Sequence, residues 1–331
     1  FELKEYSEFY RELMYGYEGY YGYTTRVGKG GDFYTSVSVS RLFGGSIALE
    51  VIKQAESFFE CKTFALIEVG AEKGFLLADI IQTIYTLKPN LLEKISFFTV
   101  EPLEILREAQ NRYFKDSFGD RIKVECVREF RDIEAKAVYI VANELFDAFA
   151  CELFDEGKML YMENFTPIFK DANEDTKEIA KKYSLKKCEI PLGYGEFAAS
   201  MRECFDRGLF LTFDYGDIEF KNRFTLRIFR GHEVGSFLEP SLDLRALFRQ
   251  CDVTYDVPFR YLREEFEKNG FSCVEFASQN RALVDFGITE LLEEVRKNAE
   301  PKAYFAESNR VKMLLSPAFL GERFKMMKFA F

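Results

Sequence analysis

Phe64-Ala-Leu-Ile-Glu68-Val-Gly70-Ala-Glu72-Lys-Gly74-Phe-Leu-Leu77 is an apolar run that ends near an acid, passes through two glycines and turns apolar again. Its first six residues have strand length and composition. The residues after Gly74 have the spacing of a buried helix, so the segment reads as strand, turn and helix. Outward from it, strands are predicted at 64–69, 96–101, 122–127, 137–142 and 208–214, with helices near 74–87 and 103–118 between the first three. That alternation predicts an α/β fold around a doubly wound, mostly parallel sheet with right-handed crossovers. Such sheets bind ligands at the carboxyl ends of their strands.

Three strand ends are polar. Ile140-Val-Ala-Asn143-Glu144-Leu-Phe-Asp147 stops an apolar strand on an amide and two carboxylates. It reads as a ligand-facing constellation, or as a helix start with Asn143 as its cap and acids on its dipole. The turn Glu68-Val-Gly70-Ala71-Glu72-Lys-Gly74 lacks the Gly-x-Gly-x-x-Gly spacing of dinucleotide sites. Pyrophosphate therefore fits it poorly, whereas a nucleoside fits, and so does a tight ligand-free turn. Thr99-Val-Glu101-Pro102 places a carboxylate where it can accept both hydroxyls of a ribose, or cap the next helix.

Composition narrows the class. The chain has 331 residues, 47% hydrophobic and 30% charged, with 37 Phe, 18 Tyr and no Trp, so aromatic rings carry much of its core. A net charge of −10 and a pI near 5.1 argue against nucleic-acid binding and suit a basic protein partner. Seven scattered cysteines and one histidine exclude a zinc framework, so no metal is expected, and a reducing cytoplasm is the predicted location. No run has the length of a membrane helix.

The rest of the chain elaborates the sheet. Leu3, Tyr6, Phe9, Tyr10, Leu13 and Met14 share one helical face, a glycine-rich loop runs through 16–36, and a helix is predicted over 38–59. Residues 150–207 form an insertion before the fifth core strand, with a hairpin turning near Glu156-Gly157 and two helices. Beyond the fifth strand come a strand at 225–229, helices at 258–269, 280–298 and 301–315, a strand at 271–277 and a final segment at 324–331. The aromatic-rich insertion could serve a homodimer.

Nearly end to end, the chain resembles the MidA family of S-adenosylmethionine-dependent methyltransferases, whose mitochondrial members are protein arginine methyltransferases of complex I assembly. The resemblance is carried by Gly31-Asp-Phe-Tyr-Thr-Ser36, Glu68-Val-Gly70, Val100-Glu-Pro102, Ala142-Asn-Glu-Leu-Phe-Asp-Ala148, Asp214-Tyr-Gly216, Thr225-Leu-Arg227 and Asp252-Val-Thr254. It implies a Rossmann-like sheet of the seven-stranded methyltransferase type over 60–331, with helical additions at about 280–316 and an extension, 1–59, covering the cofactor. It further implies S-adenosyl-L-methionine as cofactor, with Glu68, Gly70, Ala71, Gly74, Glu101 and Asn143 lining it and Asp32, Thr35 and Ser36 closing over it. Glu144, Asp147 and Asn143 would be catalytic, the substrate an arginine-bearing protein, and Asp214, Tyr215 and His232 would lie on its side. The alternative is an assembly scaffold that keeps the fold without catalysis. Glu72 stands where the family has glycine, and Leu103 where it has serine.

Overall fold

The apolar stretches that the sequence sets at strand spacing assemble into one sheet. In the computed structural model, which describes residues 3–17, 19–23, 35–230, 233–239, 243–248 and 250–331, the chain forms two compact units. One comprises Tyr34–Leu145, Ala199–Asp214 and Asn269–Phe331; the other comprises Phe1–Phe33, Phe146–Ala198 and Tyr215–Lys268.

The first unit holds β1 (Phe64–Val69), β2 (Ile95–Val100), β3 (Val124–Val127), β4 (Ala137–Asn143), β5 (Arg207–Asp217, up to Asp214), β6 (Ser272–Ser278) and β7 (Phe324–Ala330). Their order across the sheet is β3-β2-β1-β4-β5-β7-β6. The first five are parallel. Gly208 and Phe331 exchange reciprocal backbone hydrogen bonds of 2.9 and 3.0 Å, the mark of an antiparallel pair, and β6 pairs antiparallel with β7. Apart from the two-residue strand Val257–Pro258, which pairs parallel with the end of β5, this is the seven-stranded, mostly parallel arrangement expected. All six residues of β1 are buried, as a sheet covered on both faces requires.

Helices α1 (Arg41–Ser57), α2 (Phe75–Leu87), α3 (Glu104–Phe118), α4 (Gln279–Asp285), α5 (Ile288–Asn298) and α6 (Pro301–Leu315) belong to the same unit. Phe43, Ile47 and Val51 of α1 pack with Leu77, Ile80 and Ile84 of α2 against Leu66, Tyr139 and Leu211 of the strands. Two predicted helices are divided. The 38–59 helix breaks at Ser40, whose hydroxyl caps α1 by accepting from the Leu42 amide at 3.0 Å. The 280–298 helix breaks at Gly287, left-handed with φ +93°. A buried ion pair borders this core: the Lys328 ammonium of β7 lies 2.9 Å from Glu50 of α1 and 2.6 Å from Glu275 of β6.

The second unit is mostly antiparallel. The hairpin Cys151–Asp155 and Lys158–Glu163 turns at Glu156-Gly157, both with positive φ. It is joined by Leu3–Glu5, Thr166–Asp171 and Lys187–Pro191 into a five-stranded sheet. A second sheet contains Arg227–Arg230, Glu233–Ser236 and Asp252–Thr254. The helix Tyr6–Tyr15 buries Tyr6, Phe9, Tyr10, Leu13 and Met14 in the core between them. Among the described residues no helix is long and apolar enough to cross a membrane. All seven cysteines are thiols.

Candidate active site at the strand tips

Strand register sets the geometry. Val69 pairs with Val100 on one side and Ala142 on the other. Gly70, Glu101 and Asn143 therefore leave the sheet at one level on three adjacent strands.

The turn after β1 carries three left-handed residues: Gly70 (φ +66°), Glu72 (φ +49°) and Gly74 (φ +80°). At Gly74 a Cβ would meet the Phe114 ring at 2.4 Å, so α2 starts on a residue with no side chain to cap it. Glu68 supplies the missing cap: its Oε2 accepts from the Leu77 amide at 2.9 Å. Burial dominates its titration and lifts it to about 8; the Leu77 amide opposes this and the Glu72 charge adds to it. Glu72 holds its strained backbone because the Gln110 amide donates to its carbonyl at 2.9 Å. Gln110 in turn accepts from the Thr99 hydroxyl at 2.7 Å. Thr99 and Gln110 are fully buried. Sequence reasoning gave neither this role, although a threonine inside an apolar strand was the available signal.

Glu101 ends β2 with its backbone amide on the Val127 carbonyl at 3.0 Å. Its Oε1 accepts from the Leu103 amide at 3.0 Å, and Arg107 Nη1 donates to the carbonyls of Glu101 and Pro102 at 2.7 Å. Burial raises the carboxyl to about 7, with the Leu103 amide and Arg107 pulling the other way.

At the tip of β4, Asn143 Nδ2 donates to Glu144 Oε1 at 2.9 Å. Asn143 Oδ1 is buried with no hydrogen-bond partner among the described residues. Glu144 has φ +53°, its amide bonds the Phe213 carbonyl at 2.8 Å, and the next amide, Leu145, donates to Asp214 Oδ2 at 3.1 Å. The Leu145 side chain lies 3.1 Å from where a Cβ on Gly70 would stand, so the turns after β1 and β4 touch. Asp214 is fully buried.

The remaining predicted residues are placed separately. Ser36 is fully buried and its hydroxyl donates to Gln279 at 2.9 Å. Thr35 caps the turn 36–39 through the Ser38 amide at 3.1 Å. Ala71 is buried and its carbonyl receives the Gly74 amide at 2.6 Å. Asp147 and Tyr215 belong to the second unit; Asp147 is buried and its carbonyl accepts from the Tyr255 amide at 3.3 Å. Asp32 and His232 lie outside the described residues.

Comparison with known proteins gives this geometry its context. A family model described as "Putative S-adenosyl-L-methionine-dependent methyltransferase" matches residues 45–277. The chain is similar to "Protein arginine methyltransferase NDUFAF7, mitochondrial" of Danio rerio, at 25% identity over 93% of this chain and 78% of the relative. The Homo sapiens protein of that name is 24% identical over 96% and 78%. A Drosophila melanogaster homolog is 22% identical over 97% and 80%. Among solved structures, one from Burkholderia thailandensis bound to S-adenosyl-homocysteine shares the fold, with a TM-score of 0.82 and 21% identity over 99% of this chain and 88% of that one. The relatives' mitochondrial designation overturns the expected cytoplasmic location. The scattered cysteines behind that expectation carry no cellular address.

Proposed function

The chain belongs to this family of S-adenosyl-L-methionine-dependent methyltransferases, and from that premise we propose that it methylates an arginine side chain of a protein substrate. The names of its relatives support the arginine, and their designation supports a mitochondrial setting.

The strand tips fit the cofactor. Gly70 offers backbone without a Cβ, Glu101 offers a carboxylate to ribose hydroxyls, and Asn143 Oδ1 is a buried acceptor with no hydrogen-bond partner among the described residues. When bound, the cofactor supplies an electrophilic methyl group on a sulfonium. Gly70, Ala71, Gly74 and Glu101 would hold it and orient it. Fixing donor and acceptor in line can account for about 7–11 kcal/mol of a displacement barrier.

The acceptor poses the harder problem. A guanidinium, with a pKa of about 12.5–13.8, arrives charged and weakly nucleophilic. Glu144 would grip its planar fork, draw positive charge from the reacting nitrogen and take the departing proton. The Asn143 amide, donating to Glu144 Oε1, orients that carboxylate. Asp147 is the second candidate for the proton, and Asp214 supports the loop through the Leu145 amide.

The observation that carries this reading is the Asn143–Glu144 pair at the tip of the central strand. Its test is tritiated-methyl labelling of source-cell lysate depleted of this protein, with wild-type and Glu144→Gln added back. Wild type should label a protein band whose mass spectrum carries methylarginine. Glu144→Gln should abolish the label while binding S-adenosylmethionine with nearly unchanged affinity. Wild-type labelling by the variant removes Glu144 from the chemistry.

A further inference from the structure

Helix α3 carries Arg107, Gln110 and Phe114, whose spacing of three and four residues sets them in one stripe along its side. Each touches a different piece of backbone at the strand tips. Arg107 Nη1 donates to the carbonyls of Glu101 and Pro102, at 2.7 Å each. Phe114 fills the space that a Cβ on Gly74 would need, with its nearest ring atom 2.4 Å from that point. Gln110 lies between them, fully buried. Its amide bonds the Glu72 carbonyl at 2.9 Å and the Thr99 hydroxyl at 2.7 Å. One side of α3 therefore supports the turn after β1 and the tip of β2 together.

Packing alone does not call for a glutamine there. A leucine would fill the position without burying an amide, which costs stability unless both of its ends are bonded. Both ends are. The Glu72 carbonyl only accepts, so the amide nitrogen must face it, and the amide oxygen then takes the Thr99 proton. The bond also falls where the turn is strained. Gly70 and Gly74 adopt positive φ freely, whereas Glu72, at +49°, carries a Cβ. Released from Gln110, the Glu72 backbone favours an ordinary negative φ, which bends the turn out of shape.

A turn held in shape before its ligand arrives spares the ligand the cost of ordering it. We propose that Gln110 is a positioning residue for S-adenosylmethionine, acting through the Glu72 carbonyl to hold the turn after β1 in its binding shape. This needs the family's cofactor and is independent of the arginine reading above.

The test is isothermal titration of the full chain with S-adenosylmethionine and with S-adenosylhomocysteine. Gln110→Met, which keeps the length of the side chain and removes its donor and acceptor, should weaken both ligands by about tenfold, since the loss lies in the free protein. A second background tells positioning from packing. Glycine takes the bend without a Cβ, so in a Glu72→Gly background Gln110→Met should weaken binding by only about twofold. A glutamine that merely packs α3 on the sheet would show the same loss in both backgrounds. An equal loss in both overturns the inference, and so does unchanged affinity in Gln110→Met alone. No binding of S-adenosylmethionine to wild type overturns the cofactor reading and this inference with it, whereas wild-type binding that ignores Gln110 sinks this inference only. If Gln110→Met fails to fold, Thr99→Val decides, because it leaves Gln110 in place without the hydroxyl that orients it. It should weaken binding by about threefold, a loss that Glu72→Gly removes. Unchanged affinity in Thr99→Val, or a loss that persists beside Glu72→Gly, overturns the inference.

Discussion

Glu101 and Glu68 end adjacent strands as buried carboxyls, and each bonds a backbone amide at the start of the following helix. For Glu101 the sequence left two readings open, ribose acceptor or helix cap. The structure contains the capping bond on Oε1, and a carboxylate has capacity to serve both. Replacing it tests the ribose role directly: Glu101→Ala should weaken S-adenosylmethionine binding by about 1.5–3 kcal/mol, the usual loss for a hydrogen bond to a charged group. A calorimetric dissociation constant equal to wild type refutes that role. Glu72 and Glu144 show what residue-level reading could not reach. Both sit at φ near +50°, a conformation that costs other residues about 1–2 kcal/mol relative to glycine. Nothing local in Ala-Glu-Lys or Asn-Glu-Leu announces it. The bend at Glu72 is held from outside by Gln110, and that at Glu144 by the bonds of its own amide and the next to β5 and Asp214.

At the scale of elements, continuous apolar strands were legible and interrupted ones were not. Four of the five parallel strands match their predicted spans to within a residue or two, and the fifth runs three residues past its predicted end, because burial on both faces leaves an unbroken hydrophobic run. Thr166–Asp171 went unread as a strand, since it is half exposed and carries Pro167 in its register. The break between α4 and α5 was also hidden, because Gly287 interrupts a helical pattern that is apolar on both sides. Its geometry yields a prediction. At φ +93°, with a Cβ that would stand 2.8 Å from Leu49 Cδ1, Gly287→Ala should cost about 1–3 kcal/mol. Denaturant unfolding measures it, and a midpoint equal to wild type would show that the break relaxes freely.

For the whole molecule, buried acids set the response to pH. Burial lifts Glu68 to about 8, and Glu101 and Glu152 to about 7, from an ordinary 4.5. Between that ordinary value and the raised one, the folded chain holds protons that the unfolded chain has released. Stability is therefore fully present below about pH 4.5 for these groups, and falls as pH rises through 7 to 8. The net charge of −10 works in the same direction through self-repulsion. The cofactor-free protein should melt at a lower temperature at about pH 8.5 than at about pH 5.5, with Glu152→Gln flattening part of the slope. A scanning-calorimetry profile that is level or rising over that range contradicts the burial argument.

The position of β7 also constrains how the sheet is made. Among the described residues β6 joins the sheet through β7, which leaves the ribosome dozens of residues later. During synthesis the 272–278 segment must therefore wait, with its ladder bonds and the Glu275 partner Lys328 not yet available. Nascent chains stalled so that residue 324 is still inside the exit tunnel should be cut by protease at 272–278. Chains lengthened enough to expose Ala330 should resist, and equal cleavage of both would mean that β6 finds its place without help.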